Sequence, residues 1–283
     1  MEPAWNTPPP ASLLPENEVH VWRAGLDLPN RNVQELGEDL SSDERERAGR
    51  YHFEKDRKYL IVRRGILRRI LGFYLNLKPS RIQFRYGENG KPALADTFGI
   101  GAIHFNLSHS NGVALFAFAR DREIGVDIEY MRDIPEMDKI VEQFFSKRER
   151  DVFRKLPKSQ KREAFFNGWT CKEAFIKTLG DGLSRSLDKF DVSLAPGEPA
   201  NLLRIEDDLT EASRWSIQGL KPAPHYVGAF AVKSHMFETR EWQWEVAGIG
   251  GMAGIGTFHF DRECQERAIK GSSLSPKDAV GKS

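Results

Sequence analysis

The sequence has little cysteine, no long apolar run and no histidine pair at metal-ligand spacing. Its two cysteines, Cys171 and Cys264, exclude a disulfide framework and a four-cysteine zinc site. No segment approaches the roughly 18 apolar residues of a transmembrane helix. The N-terminus lacks the basic region and apolar stretch of a signal peptide, and Walker loops and G-x-S-x-G elbows are absent. We therefore predict a soluble, cytoplasmic protein with reduced thiols.

The charges nearly cancel over the whole chain but not along it. The 42 Lys and Arg residues stand against 41 Asp and Glu residues, for a net charge of +1. This balance argues against a nucleic-acid-binding protein. Residues 45–69, however, carry ten Arg or Lys residues against Glu46, Glu54 and Asp56. This segment is either a solvated, salt-bridged helix face or a binding surface for a nucleotide phosphate or an acidic protein.

The order of predicted elements is that of an α+β protein with two halves that meet near Arg120. We expect a flexible lead-in over residues 1–17, an N-terminal half over 18–120, a C-terminal half over 121–244 and a disordered tail over 245–283. Strands are predicted at 19–22, 103–107, 113–119, 124–129, 190–194, 215–220 and 226–232. Turns are predicted at 87–92 and 108–112, and helices at 45–69, 134–145, 147–156 and 161–179.

Two carboxylates share one face of the predicted strand at 124–129. Residues i and i+2 of a strand project from the same side, so Asp127 and Glu129 stand together while Ile124, Val126 and Ile128 face the other way. Neighbouring like charges are unfavourable unless a cation lies between them. The pair is therefore either the solvated face of an edge strand or part of a metal site.

The predicted helix at 161–179 carries a mixed stripe. Trp169, Glu173 and Lys177 are four residues apart and lie along one face. Glu173 and Lys177 fit an ordinary surface ion pair, but the tryptophan beside them favours the wall of a cleft. A third carboxylate at that wall could complete an oxygen-rich site for Mg²⁺, which prefers carboxylates, waters and phosphate oxygens.

Two further segments are compatible with phosphate or nucleotide binding. His109 follows Ser108 at the end of a predicted strand and could donate to a phosphate. The Gly90-Lys91-Pro92 turn could approach a flat base closely. A single histidine is more often structural, so neither segment is specific alone.

Together these segments resemble the Sfp-type 4′-phosphopantetheinyl transferases. The resemblance covers roughly residues 19–235. It rests on four ordered blocks, of which the last two are the family's signature: Gly90-Lys91-Pro92, Phe105-Asn106-Leu107-Ser108-His109, Gly125-Val126-Asp127-Ile128-Glu129 and Trp169-Thr170-Cys171-Lys172-Glu173-Ala174-Phe175-Ile176-Lys177.

The resemblance implies a monomeric pseudo-dimer of two similar α+β halves with the active site at their junction. Coenzyme A and Mg²⁺, for which Mn²⁺ would be able to substitute, would bind there. A serine of an apo acyl or peptidyl carrier protein would attack the β-phosphate, and 3′,5′-ADP would leave. The carriers would be those of fatty-acid, polyketide or nonribosomal-peptide synthesis.

The resemblance also assigns roles residue by residue. Asp127, Glu129 and Glu173 would bind the metal, and Glu173 would be the base for the incoming serine. Lys177 and His109 would contact phosphates of coenzyme A, while Gly90, Lys91, Pro92, Asn106 and Ser108 would complete its binding site. Arg47 matches a basic family position for the 3′-phosphate. Glu44 departs from the family, since some members carry a basic residue there, and Arg63 and Arg64 are alternatives for the 3′-phosphate.

Two hypotheses follow. The first is a Mg²⁺-dependent transferase, with residues 131–145 and the exposed Met131, Ile134 and Met137 as a docking site for the carrier, unless those side chains merely pack in the core. The second is a non-enzymatic module of the same fold that binds a nucleotide or an acidic partner without turnover. The presence of Asp127, Glu129, Glu173 and Lys177 together favours the first.

Overall fold

The computed structural model of the chain describes residues 5–8, 13–87, 90–95, 103–180, 186–206 and 210–245. The tail predicted to be disordered lies outside these residues, apart from Glu245. The helices are α1 (Asn30–Glu38), α2 (Ser42–Gly49), α3 (Glu54–Leu75), α4 (Met137–Phe144), α5 (Lys147–Lys155) and α6 (Lys158–Leu179). The strands are β1 (Glu18–Gly25), β2 (Phe84–Tyr86), β3 (Pro92–Leu94), β4 (Ile103–Ser110), β5 (Val113–Arg120), β6 (Ile124–Tyr130), β7 (Phe190–Val192), β8 (Leu202–Ile205), β9 (Ser216–Leu220), β10 (Tyr226–Val232) and β11 (Glu238–Gln243).

Two sheets pack face to face between two helical layers. The first sheet has the strand order β11-β1-β5-β4, and the second has the order β6-β10-β9. Val21, Leu115 and Ala117 of the first sheet meet Val126 and Phe230 of the second in one apolar layer. The outer face of the first sheet packs on α1 and α3, and that of the second packs on α6. The predicted α+β class is thus confirmed.

The two halves repeat one topology. Each begins with a strand, β1 or β6, continues into a 22-residue helix, α3 or α6, and ends with two strands. In the first sheet β5 pairs with both β1 and β4, and in the second β10 pairs with both β6 and β9. The resulting orders are β1-β5-β4 and β6-β10-β9. This repeat is the pseudo-dimer that the resemblance implies.

The predicted helix over residues 45–69 is wrong in its extent. The chain forms α2 and α3 instead, separated by the residues from Arg50 to Phe53. Ser41 caps α2 in a capping box with Glu44. Only α3 carries a continuous apolar stripe, which includes Val62, Ile66 and Ile70. The basic residues before Arg50 therefore lie on a separate short helix whose orientation sequence spacing could not give.

Other boundaries also differ from prediction. β4 extends to Ser110 rather than ending at Leu107, and Asn111 and Gly112 alone form the turn to β5 with φ values of 42° and 86°. α1 and β11 were not predicted; β11 runs parallel to β1 at the edge of the first sheet. Part of the lead-in is packed, since Leu14 is 1% exposed in the core. Over the described residues, no helix is long and apolar enough to cross a membrane.

Gly125 lets α6 approach β6 closely. A Cβ at this position would overlap the carbonyl oxygen of Ala174 and lie 2.6 Å from both the amide nitrogen and the hydroxyl of Thr178. Because these contacts include backbone atoms, the helix must shift to admit even a methyl group. We expect Gly125→Ala to lower the free energy of unfolding by about 1–3 kcal/mol, as measured by thermal melts.

A glycine in the same sheet provides the control. At Gly219 in β9 an added Cβ would meet Ala200 at an ordinary 3.6 Å, so Gly219→Ala should leave the free energy of unfolding near that of the parent. Equal melting temperatures for the two variants would contradict close packing at Gly125.

Candidate active site

The face of β6 opposite the inter-sheet core carries the predicted acidic pair. Asp127 is 4% exposed, and its Oδ1 accepts hydrogen bonds from Lys177 Nζ at 2.6 Å and from Ser108 Oγ at 2.8 Å. These three residues come from β6, α6 and β4. Lys177 therefore pairs with Asp127 rather than forming a surface pair with Glu173. Of the α6 stripe, Glu173 and Lys177 line a cleft, whereas the half-buried Trp169 stacks on Phe165, so only part of the stripe forms a cleft wall.

Three carboxylates act on one another at this junction. Burial and the charge of Asp127 raise the pKa of Glu129, whereas the hydrogen bond from Ser110 lowers it in part. Burial also raises the pKa of Glu173, and the charges of Asp127 and Glu129 raise it further. Glu173 is therefore close enough to feel the charges of the pair, and its role as a third metal-binding carboxylate stays a prediction.

The oxygen atoms of these three carboxylates are ligands of the kind that a hard divalent cation prefers, although the side chains do not form a preformed coordination site. Asp127 Oδ2 is buried without a hydrogen-bond partner, an arrangement that a cation would satisfy. Burial raises the pKa values of Glu129 and Glu173, and the charges of neighbouring carboxylates raise them further, an effect that a bound cation would offset. Within the described ranges, however, no three acidic, histidine or cysteine side chains converge as a preformed metal site. At least one of the three carboxylates would therefore have to turn before all of them could share an ion.

A cleft of about 380 Å³ adjoins the carboxylates and runs between α3, the β2–β3 hairpin, β4 and α6. It brings together most residues predicted to bind the coenzyme. Ser108 and Asp127 are not on its wall but directly behind it, where they contact Lys177. The predicted residues that line the cleft are Arg47, Gly90, Lys91, Pro92, Asn106, His109, Glu173 and Lys177.

His109 lies between two cations. Its Nε2 contacts the guanidinium of Arg63. Partial burial and the positive charges of Arg63 and Lys177 lower the pKa of His109 to about 4. Part of the side chain nevertheless remains exposed to solvent. At neutral pH the ring is therefore uncharged, and its lone pair faces Arg63.

The departure at Glu44 has a structural explanation. Glu44 is buried and forms ion pairs with Arg64 Nε at 3.0 Å and Arg68 Nε at 2.6 Å. Arg64 also donates to the hydroxyl of Tyr86 and stacks against that ring. Because Glu44 and Tyr86 hold its guanidinium in place, Arg64 is less free to turn to a phosphate than Arg47 or Arg63, which line the same cleft.

Lys91 links the two halves across the cleft. Its Nζ lies 3.3 Å from Glu123, in the connection between β5 and β6, and 3.3 Å from the carbonyl oxygen of Thr178 near the end of α6. Glu123 also contacts His104 Nδ1 at 3.0 Å. Hydrogen bonding to His104 and the charge of Lys91 lower the pKa of Glu123 to about 2, despite partial burial. The predicted coenzyme ligand thus also fastens the hairpin to α6.

Lys172, in the same block as Glu173, forms a buried hub that sequence reasoning missed. Its side chain is 0% exposed and its Nζ donates to Glu149 Oε2 at 2.9 Å and to the carbonyl oxygens of Leu187 and Phe190 at 2.6 and 2.8 Å. Glu149 in turn accepts from the amide nitrogen of Val192 at 2.8 Å. The hub ties α5 and β7 to the helix that carries Glu173 and Lys177.

The predicted docking segment is partly engaged in packing. Met131, Ile134 and Met137 are half-buried against a cluster that contains Phe153 and Phe165, so the expectation that they are exposed is wrong. The helix begins at Met137 rather than at Ile134.

Comparison with known proteins identifies the family. The protein-family model "4'-phosphopantetheinyl transferase, N-terminal" matches residues 30–120 of the sequence. A second family model, "4'-phosphopantetheinyl transferase superfamily", matches residues 123–231. The 4'-phosphopantetheinyl transferase HetI of Nostoc sp. is 40% identical over 244 residues, which span 86% of this chain and 100% of HetI.

Two more distant relatives agree. Sfp of Bacillus subtilis, also a 4'-phosphopantetheinyl transferase, is 34% identical over 155 residues, 55% of this chain and 66% of Sfp. The human L-aminoadipate-semialdehyde dehydrogenase-phosphopantetheinyl transferase is 27% identical over 237 residues, 78% of this chain and 77% of that protein. With the fold, the cleft and a relative matched along its whole length, the chain belongs to the 4′-phosphopantetheinyl transferase superfamily.

Proposed function

We propose that this chain transfers the 4′-phosphopantetheine group of coenzyme A to a serine of an apo acyl or peptidyl carrier protein. The observation that carries the proposal is the junction of β4, β6 and α6, where Asp127, Glu129 and Glu173 adjoin Lys177 at one end of a cationic cleft. The junction is formed by the two halves of a single chain, so we propose that a monomer is sufficient for activity.

The cleft is suited to a diphosphate. Lys177 lies at its carboxylate end, and Arg47 and Arg63 contribute positive charge from α2 and α3. His109 can rotate from Arg63 to a phosphate oxygen, and an anion there would favour its protonated form. Arg47 and Arg63 are our candidates for the 3′-phosphate, because Arg64 is paired with Glu44. Gly90, Lys91 and Pro92 would border the adenosine.

The carboxylates are suited to the reacting end. A divalent cation held by Asp127, Glu129 and Glu173 would neutralise charge on the diphosphate and polarise the phosphorus under attack. The carrier's serine oxygen forms a bond to the β-phosphorus, the bond from that phosphorus to the oxygen of the leaving 3′,5′-ADP breaks, and Glu173 takes the serine proton.

The carrier must present its serine to the carboxylate end. Residues 131–145 follow β6 directly, so we retain this segment as the docking site, with its half-buried apolar side chains forming the floor rather than isolated anchors. Carrier proteins are generally acidic, and the exposed Arg45, Arg47 and Arg50 of the α2 region offer complementary charge.

Mass spectrometry of apo carriers tests the proposal. The chain is incubated with coenzyme A, Mg²⁺ and a panel of fatty-acid, polyketide and peptidyl carriers, each also prepared with its acceptor serine replaced by alanine. We expect a phosphopantetheine mass gain on intact carriers and none on the alanine controls. Binding of coenzyme A with no mass gain on any carrier would instead support the non-enzymatic module.

Removal of divalent cations provides a separate prediction. Chelation with EDTA should abolish the mass gain, because the buried Asp127 and its two neighbouring carboxylates would repel the diphosphate without a cation between them. Adding back excess Mg²⁺ or Mn²⁺ should restore it. Undiminished transfer in metal-free buffer would contradict the metal role of these carboxylates.

A further inference from the structure

Strand β4 of the N-terminal half presents a polar side chain at every second position toward β6 of the C-terminal half. Asn106 Oδ1 accepts a hydrogen bond from the amide nitrogen of Val126 at 3.0 Å. Ser110 Oγ accepts one from the amide nitrogen of Tyr130 at 3.1 Å. The two strands lie side by side but belong to different sheets, so side chains rather than a backbone ladder join them.

The two serines of this row match the two carboxylates opposite. Ser108 Oγ donates to Asp127 Oδ1 at 2.8 Å, and Ser110 Oγ donates to Glu129 Oε2 at 2.9 Å. The spacing of two on β4 meets the spacing of two on β6, so each hydroxyl reaches one carboxylate. The contact thus crosses from one half into the acidic site of the other.

The hydroxyl of Ser110 has a fixed direction. A serine hydroxyl has a single proton to donate. Because the amide of Tyr130 donates to this oxygen, the oxygen's own proton is left for Glu129. Hydroxyl and carboxylate are therefore held in one geometry by the backbone of the strand that carries Glu129.

Asp127 and Glu129 differ in the partners that they have besides the serine hydroxyls. Asp127 also pairs with Lys177 at 2.6 Å. For Glu129, the Ser110 hydroxyl is the only hydrogen-bond donor that the described part of the chain supplies. Loss of Ser110 would therefore release the Glu129 side chain, whereas loss of Ser108 would leave Asp127 with a strong partner.

We infer that Ser110 is a positioning residue, which holds Glu129 ready for the divalent cation. The inference rests on the proposed function. Partners that hydrogen-bond to metal-binding carboxylates fix their orientation, and their loss typically weakens metal binding about 10–100-fold. Ser110 does this from the N-terminal half, so that half contributes to metal binding without supplying a ligand.

Mn²⁺ binding measured by electron paramagnetic resonance tests the inference without a carrier and apart from turnover. Free Mn²⁺ is titrated against the full chain saturated with coenzyme A. We expect Ser110→Ala to weaken Mn²⁺ binding roughly 10-fold, with an unchanged Kd for coenzyme A at saturating Mn²⁺. Ser110→Thr, which keeps the hydroxyl, should bind Mn²⁺ within about threefold of the parent.

Ser216→Ala is the matched control. Ser216 Oγ donates to the carbonyl oxygen of Ser234 at 2.6 Å, away from the carboxylates, so its loss should leave Mn²⁺ binding unchanged. A Ser110→Ala variant with parental Mn²⁺ affinity would overturn the inference, as would equal weakening in Ser216→Ala.

A double-mutant cycle separates positioning from general damage to the fold. In a Glu129→Gln background the carboxylate is already gone, so adding Ser110→Ala should weaken Mn²⁺ binding by less than twofold. An undiminished 10-fold loss in that background would show that Ser110 acts otherwise and would overturn the inference. If the parent modifies carriers while Ser110→Ala binds Mn²⁺ normally, only this inference fails; if the parent modifies none, the proposed function fails.

Discussion

Replacing Asp127 by asparagine is expected to lower turnover by roughly 10³-fold, about 4 kcal/mol of activation free energy, while the chain stays folded. Asparagine keeps the shape of the side chain but removes the charge that meets Lys177 at 2.6 Å and that would bind the cation. The fold should survive because the Lys177 side chain is 29% exposed and can be hydrated once unpaired. Single-turnover transfer to an apo carrier and thermal melts measure the two effects.

Asp151→Asn is the control for this experiment. Asp151 is a surface carboxylate on α5 that pairs with the exposed Lys147, so its loss should change neither turnover nor melting temperature appreciably. An Asp127→Asn variant within tenfold of the parent's rate would remove Asp127 from the metal role. A large fall in melting temperature would show that the residue is chiefly structural.

Replacing Lys172 by methionine is expected to cost about 3–5 kcal/mol of unfolding free energy, because it leaves Glu149 as an uncompensated buried charge. Glu149 is 1% exposed, and the lysine also donates to two backbone carbonyls. Such a loss corresponds to a fall in melting temperature of roughly 6–20 °C. Calorimetry or far-ultraviolet circular dichroism measures it.

The double variant Glu149→Gln with Lys172→Met tests the cause. With both charges removed, part of the lost stability should return, giving a coupling energy above about 1 kcal/mol. Strict additivity of the single variants would contradict a coupled pair. Lys147→Met removes an 85% exposed lysine from a surface pair and should stay within about 0.5 kcal/mol of the parent.

The sequence was sufficient to predict which side chains of β6 face the core, because successive side chains of a strand point to opposite faces. Ile124, Val126 and Ile128 lie in the core between the sheets, and Asp127 lies on the side of α6. The stop of α6 at Gly180 was equally accessible, since its φ of 77° suits glycine. Local periodicity and turn chemistry were sufficient for these features.

Features that depend on distant pairing were not accessible. β11 is polar and alternates poorly, and only its parallel pairing with β1 makes it a strand. Ser110 was placed in a turn because polar residues crowd the end of β4, and its role requires knowledge that β4 lies beside β6. The Glu44 pair with Arg64 and Arg68 likewise joins helices that the sequence joined into one.

β11 has a consequence for stoichiometry. The repeat of β1-β5-β4 and β6-β10-β9 makes β1 the counterpart of β6. The backbone of β6 meets side chains of β4, and the cleft lies at that seam. The corresponding edge of β1 is occupied by β11, which pairs with β1 in parallel from Glu18 to Arg23. Because β11 closes the seam that corresponds to the cleft, we expect each chain to bind one molecule of coenzyme A, which isothermal titration calorimetry measures.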